Sequence, residues 1–172
     1  MLTILIYIAI IGAVVTVDQV TKVLLLHSDF TYIPHLLYNT PTINDGAAFS
    51  IMGGRTTFLI IFTSIILVLV LVLLFTNKFS DNKFFKCSLA VTIGGIIGNF
   101  IDRIFLGAVR DFLLVEPFGF ICNIADIAIC VGVALICIYI AFIHKFSDNG
   151  KKKKKNIEIK NEGNNKWKTF LL

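Results

Sequence analysis

Charge is what this sequence has least of. Charged residues are 16% of its 172, while hydrophobic residues are 56% and mean hydropathy is +0.85. A soluble domain carries roughly 25% charged residues, and a chain this short cannot bury such an apolar surplus in a globule. Histidine is scarce too: His27, His35 and His144 are scattered, so no metal site is expected. The four cysteines, Cys87, Cys122, Cys130 and Cys137, contain no CxxC pair. They are expected to pack as small buried hydrophobes. No serine or cysteine has an evident triad. Basic residues interleaved with aromatics on a folded face are missing as well, which excludes a nucleic-acid partner. An integral membrane protein remains.

The net charge of +5 belongs to one end of the chain. From His144 onward nine lysines stand against Asp148, Glu158 and Glu162, whereas the preceding 143 residues carry seven basic and eight acidic groups. Two regions follow: a four-span membrane domain, 1–146, and a basic, disordered tail, 147–172, drawn to anionic cytoplasmic lipid. Four apolar segments approach the roughly 20 residues that cross a bilayer. They run over Leu2–Leu26, Phe58–Phe75, Lys86–Leu106 and Phe118–Ile143. Lys78, Lys83 and Lys86 lie in or beside the second connection, while Arg55 and Arg110 are the only basic residues of the other two. Both termini are therefore placed inside the cell and the first and third connections outside. The stretch 27–50, with Pro34 and Pro41, reads as extended structure on the outer surface, closing on the small residues from Asn44 to Ser50. The expected fold is an all-α membrane protein of four helices with a small extended or β segment outside.

Ionisable groups inside spans are costly and face a bundle interior or a cavity. With this topology Asp18, Lys22, Asn99, Asp102 and Arg103 come to the outer ends of spans one and three. Asn123 and Asp126 sit at the outer start of span four, and Asp111 lies in the loop before it. Asp18 and Lys22 are spaced i,i+4 for an ion pair; a purely structural alternative makes Asp18–Lys22 and Asp102–Arg103 pairs that glue helices together. Gly94 and Gly98 form a GxxxG pair that admits a neighbouring helix. Too few cations remain to match Asp111 and Asp126, and Arg110 is expected to point elsewhere. Two carboxylates in one site cannot both ionise easily, so one can hold a proton while the other acts as base. These residues alone leave two readings open, a hydrolytic site and an ion- or proton-coupled carrier. A carrier would show internal repeats and broken helices near mid-membrane, and no repeat is evident.

Five strings in order, Val17-Asp18-Gln19-Val20-Thr21-Lys22, Asn44 to Ser50, Gly94 to Arg103, Val109-Arg110-Asp111-Phe112 and Asn123-Ile124-Ala125-Asp126, resemble the bacterial lipoprotein signal peptidase family. The resemblance spans residues 4–143. It implies an inner-membrane aspartic peptidase that removes the signal peptide of diacylglyceryl-modified prolipoproteins just before the lipidated cysteine, needs no cofactor and is inhibited by globomycin. Carried over position by position, it implies catalytic roles for Asp111 and Asp126. Asp18, Lys22, Asn44, Gly46, Asn99, Arg103, Asn123 and Ala125 become supporting positions, and 28–43 a surface cradle. Three residues depart from the family pattern: Arg110 where an apolar residue is usual, Cys122 where an aromatic is usual, and Ile127 where a small polar one is common. The stretch between the two aspartates is also shorter than usual.

Overall fold

A helix whose solvent is lipid turns its polar groups inward and its apolar ones outward. The computed structural model describes residues 2–46, 54–76 and 81–143, and it shows this inversion. Helices α1 (Leu2–Leu25), α2 (Thr56–Phe75), α3 (Lys83–Leu106) and α4 (Ile124–Ile143) are each long and apolar enough to cross a membrane. In α1 the buried side chains are Tyr7, Asp18 and Lys22, whereas Leu5, Ile8, Val17 and Leu24 are exposed. α3 is the central helix: 67% of its most apolar window is buried, against 11% in each of the other three. Residues Met1–Ile136 form one compact unit. Of the second, Cys137–Leu172, the described part, 137–143, is helical. The expected tail, 147–172, and the residues from Ala47 to Ser50 lie outside the described residues.

Small residues on α3 let its neighbours approach. A Cβ built on Gly94 would lie 2.7 Å from the Val14 Cβ, and one on Gly98 would lie 2.6 Å from an Asp18 oxygen and 3.1 Å from the Ala125 Cβ. The GxxxG pair thus seats α1, as its spacing suggested, and Gly98 seats the start of α4 as well. Gly95 adds a second contact with α4, since its Cβ would fall 2.5 Å from the Ala125 carbonyl oxygen. Helix ends are marked by their caps. The Asn82 side chain accepts from the Phe84 and Phe85 amides at the start of α3, and Gly107, at φ 74°, closes it in the left-handed region.

The connections between α1 and α2 and between α3 and α4 form a four-stranded antiparallel sheet, β1 (Phe30–Ile33), β2 (Leu37–Asn44), β3 (Val109–Val115) and β4 (Phe120–Cys122), in that spatial order. Here the structure corrects three expectations. The fourth span begins at Ile124, because residues 120–122 are strand and Gly119, at φ 63°, turns the chain after a 3-10 turn at Glu116–Phe118. Asp111 therefore lies in β3, not in a loop. Cys130 and Cys137 are exposed on the apolar surface of α4; only Cys87 and Cys122 are half-buried, and all four thiols are free. Between β2 and β3 the pairing passes from Asn39↔Leu113 to Thr42↔Asp111, so β2 carries one extra residue around Pro41. A bulge tolerates proline, which has no N–H to give the ladder. It also sets the register that brings Asn44 opposite Val109, close to Asp111.

Candidate active site

Asn123 begins α4, and its sequence context explains why. Its side-chain oxygen accepts from the Asp126 amide at 2.9 Å, and Asp126 Oδ2 accepts in return from the Asn123 amide at 3.2 Å. This is a reciprocal capping box, satisfying two amides at the helix start. A third, that of Ala125, donates to Asp18 Oδ1 at 2.9 Å. Ala125 is fully buried against Gly98, so a larger side chain there would push α4 off α3. Asp126 is thereby fixed at its backbone and at one oxygen before any side-chain partner is counted.

The asparagines tie the two acids together. Asn123 Nδ2 donates to Asp111 Oδ1 at 2.6 Å and to Asn99 Oδ1 at 3.0 Å, and Asn99 Nδ2 donates to Asp126 Oδ1 at 2.7 Å. Asn44 Nδ2 holds the other Asp111 oxygen at 2.9 Å, while the Asn44 oxygen accepts from the Gly46 amide at 3.0 Å. The Gly46 carbonyl accepts from Arg103 Nη2 at 3.2 Å. Burial pushes the Asp111 carboxyl up to about 6, with the nearby Asp126 charge adding to the rise; the amides of Asn44 and Asn123 and the more distant Lys22 oppose it. Burial, with Asp126 and Asp111 nearby, also pushes the Cys122 thiol up to about 12, so it stays protonated at neutral pH and is a poor nucleophile.

Behind the pair lies a buried charge cluster. Lys22 Nζ, fully buried, contacts Asp18 Oδ2 at 2.9 Å, Asn99 Oδ1 at 3.0 Å and Asp102 Oδ2 at 3.4 Å. The Asp102–Arg103 pair of the purely structural alternative is not formed among the described residues. Adjacent residues on a helix point apart, and Arg103 instead turns toward Gly46 and the cavity. Asp102 is gripped instead by Arg110, at 2.7 Å, which thus points away from Asp111 and Asp126, as expected. Gln19 was overlooked as a site residue: its amide nitrogen donates to Asp18, Asp102 and the Gly98 carbonyl, and its oxygen accepts from Arg110. Its place between Asp18 and Lys22 in the first string was the available signal. Among the described residues, every buried side-chain nitrogen and oxygen has a partner.

Asp111, Asp126, Asn44, Asn99 and Arg103 share one cavity of about 530 Å³. The rest of its wall is mostly apolar, with Cys122 and Ile127 among the lining residues. Among the described residues, no group of three or more His, Cys, Asp or Glu is placed to hold a metal ion. Two carboxylates, Asp111 buried and Asp126 half-buried, linked through amides and open to an apolar-walled cavity, can hold and polarise a small polar reactant such as water.

The sequence profile of the family described as Signal peptidase (SPase) II matches residues 10–142. The chain belongs to the signal peptidase II family. Among its relatives are the lipoprotein signal peptidases of Staphylococcus aureus strains bovine RF122 / ET3-1 and JH9. Each is 39% identical over 153 residues, which is 84% of this chain and 90% of the relative. A solved bacterial membrane enzyme structure, determined by the in meso method at 2.3 Å resolution, aligns with a TM-score of 0.72 at 39% identity. The alignment covers 83% of this chain and 90% of that one. A second, at 1.9 Å resolution, gives 0.68 and covers 78% and 91%. As a family member the chain is a multi-pass membrane protease, and its fold aligns with that of these solved membrane enzymes. All ten candidate positions fall inside the matched region.

Proposed function

We propose that the chain removes the signal peptide from diacylglyceryl-modified prolipoproteins, cutting just before the lipidated cysteine, with Asp111 and Asp126 as its catalytic carboxylates. The observation that carries this reading is the pair itself, a buried and a half-buried acid joined through Asn123 and Asn99 and facing one cavity. Charge balance supports it. Asp18, Asp102, Asp111 and Asp126 face three cations, Lys22, Arg103 and Arg110, so one proton on the pair neutralises the network. A water held between the two acids loses a proton to the ionised one as it attacks the peptide carbonyl. The neutral acid hydrogen-bonds the developing oxyanion and then protonates the departing amine. The pair shares its proton and titrates as a unit.

In this reading Asp18, Lys22, Asn99, Asn123 and Ala125 fix the two acids, while Asn44, Gly46 and Arg103 shape the cavity mouth. The hairpin of β1 and β2 steadies the substrate at the membrane surface, and its exposed Phe30, Tyr32, Ile33 and Leu36 suit an interface. The site faces outward from the bacterial cytoplasmic (inner) membrane, both termini are cytoplasmic, and 147–172 is a basic tail outside the chemistry. Globomycin blocks the cavity. The test is to incubate the purified full-length chain in detergent with a lipidated prolipoprotein and with the same precursor lacking the lipid. Cleavage of the lipidated form alone, stopped by globomycin, is expected. Equal cleavage of both, or none by well-folded protein, overturns the substrate assignment.

A further inference from the structure

Arg110, where the family resemblance implies an apolar residue, is built into the network through both its main chain and its side chain. Its Nε donates to Asp102 Oδ2 at 3.2 Å and its Nη2 to Asp102 Oδ1 at 2.7 Å, a two-pronged grip on one carboxylate. Its backbone amide donates to the same Asp102 Oδ2 at 3.0 Å, and Nη2 also reaches Gln19 Oε1 at 2.8 Å. Asp102 lies on α3 and Gln19 on α1, so the side chain of this one residue of β3 is anchored to two helices and its main chain to α3. The next residue in the strand is Asp111. Successive strand residues point to opposite faces, so Arg110 reaches back to the helices while Asp111 meets Asn44 and Asn123 on the cavity side. Arg110 is not part of the cavity wall.

Its charge matters as much as its shape. Asp18 and Asp102 are fully buried, and Lys22 is the only lysine or arginine fully buried with them among the described residues. Without Arg110, Lys22 would have two carboxylates to satisfy and would be drawn from Asn99 Oδ1, at 3.0 Å, toward Asp102, at 3.4 Å. Asn99 is the residue that donates to Asp126 Oδ1. The Asp102 partnership in turn holds the guanidinium above its ordinary value, so the charge is permanent.

We infer that Arg110 is a positioning residue for the reaction: it clamps β3 to α1 and α3 so that Asp111 meets Asp126, and it neutralises the buried acids that flank the pair. This rests on the proposed roles of Asp111 and Asp126. The charged groups around the pair are Asp18 and Lys22 from α1, Asp102 and Arg103 from α3, and Arg110 from β3. Removing the clamp misplaces a reacting group without touching bound substrate, so the loss falls on kcat. Removing the charge leaves one more uncompensated negative group nearby, which makes the last proton of the pair harder to lose.

The experiment compares Arg110→Val and Arg110→Lys with the unaltered chain and with Asp111→Asn. Each full-length protein is purified in detergent, checked by thermal melting, and assayed on a lipidated prolipoprotein across the pH range. Valine suits a strand and matches the apolar residue usual at this position, so a folded protein is expected. For Arg110→Val, kcat falls about tenfold to a hundredfold with KM within about twofold. The alkaline limb of its pH profile moves up by about half a pH unit or more. Arg110→Lys keeps the charge but loses the fork, so its kcat falls while the limb stays in place. Normal kcat and an unmoved limb in a folded Arg110→Val protein overturn the inference. So does a parallel fall in melting temperature and activity restored by cooling, since that pattern is purely structural. An active Asp111→Asn protein would instead overturn the reading of the acid pair, and the two failures are distinct.

Discussion

Lys22→Met tests the buried charge cluster most sharply. Methionine matches the lysine stem in length and suits an apolar setting, so the change removes a charge and little volume. The lysine nitrogen makes three contacts, to Asp18, Asn99 and Asp102. Two of those partners stay supported without it. Asp102 keeps the Arg110 fork and Gln19, while Asp18 keeps the Ala125 amide and Gln19. Asp18, Asp102, Lys22 and Arg110 together are neutral, so the variant leaves one excess buried negative charge. Breaking a buried pair this way costs about 3–5 kcal/mol, a large part of the roughly 5–15 kcal/mol that holds a domain folded. Adding Asp18→Asn removes the excess charge, and the asparagine oxygen can still accept from Ala125. The double variant is therefore expected to melt well above Lys22→Met alone, with a coupling of about 2 kcal/mol or more. The assay is thermal unfolding of the detergent-solubilised proteins, followed by the folded fraction on size exclusion. A Lys22→Met protein as stable as the parent, or a double variant whose losses simply add, refutes the reasoning.

Gly95→Ala is expected to destabilise by about 1–3 kcal/mol, because the new Cβ meets the immovable Ala125 carbonyl at 2.5 Å. Gly12→Ala, with nothing within 4 Å, should be neutral or stabilising in the same melting assay. Reporter fusions after Asp45 and Glu116 should read outside and those after Asn82 and Gly150 inside; an outside signal at Asn82 would invert the proposed topology. The rate should fall on the alkaline side as the pair loses its last proton, at about pH 6 or above given the raised Asp111 carboxyl. A rate that stays flat well into alkaline pH would mean that no protonated carboxyl takes part.

The helices were legible because a bilayer demands long apolar runs, and the first three agree with the sequence to within three residues. The fourth start was misplaced because Phe120-Ile121-Cys122 is apolar whether it is strand or helix, and periodicity cannot separate short apolar runs. Better signals were present: Pro117 and Gly119 mark a turn, and Asn123 followed three residues later by Asp126 is a helix-start signature. β3 was hidden because its support is long-range. It pairs with β2 almost seventy residues earlier, and strand propensity is weak without such partners. Arg110 grips Asp102, eight residues before it, only because the chain turns from helix to strand between them, and Gln19 from ninety-one residues away, whereas the i,i+4 link of Asp18 to Lys22 is local and was plain. The ten candidate positions came from ordered strings rather than from any one residue. The structure brings them into one network because three helices, two strands and one turn supply them at a single level.

The most direct measurement of the central proposal is cleavage of a lipidated prolipoprotein by Asp111→Asn, Asp126→Asn and the double variant, each confirmed as folded by melting. Asparagine keeps the shape and can still bond to Asn44, Asn99 or Asn123, but it can neither take nor give the proton the reaction needs. If the two acids are halves of one machine, each single variant abolishes cleavage while still binding the precursor. The double variant is then scarcely worse than either, because groups acting as a unit are not additive. A folded Asp126→Asn protein that processes the precursor at close to the parental rate would contradict the aspartic mechanism outright.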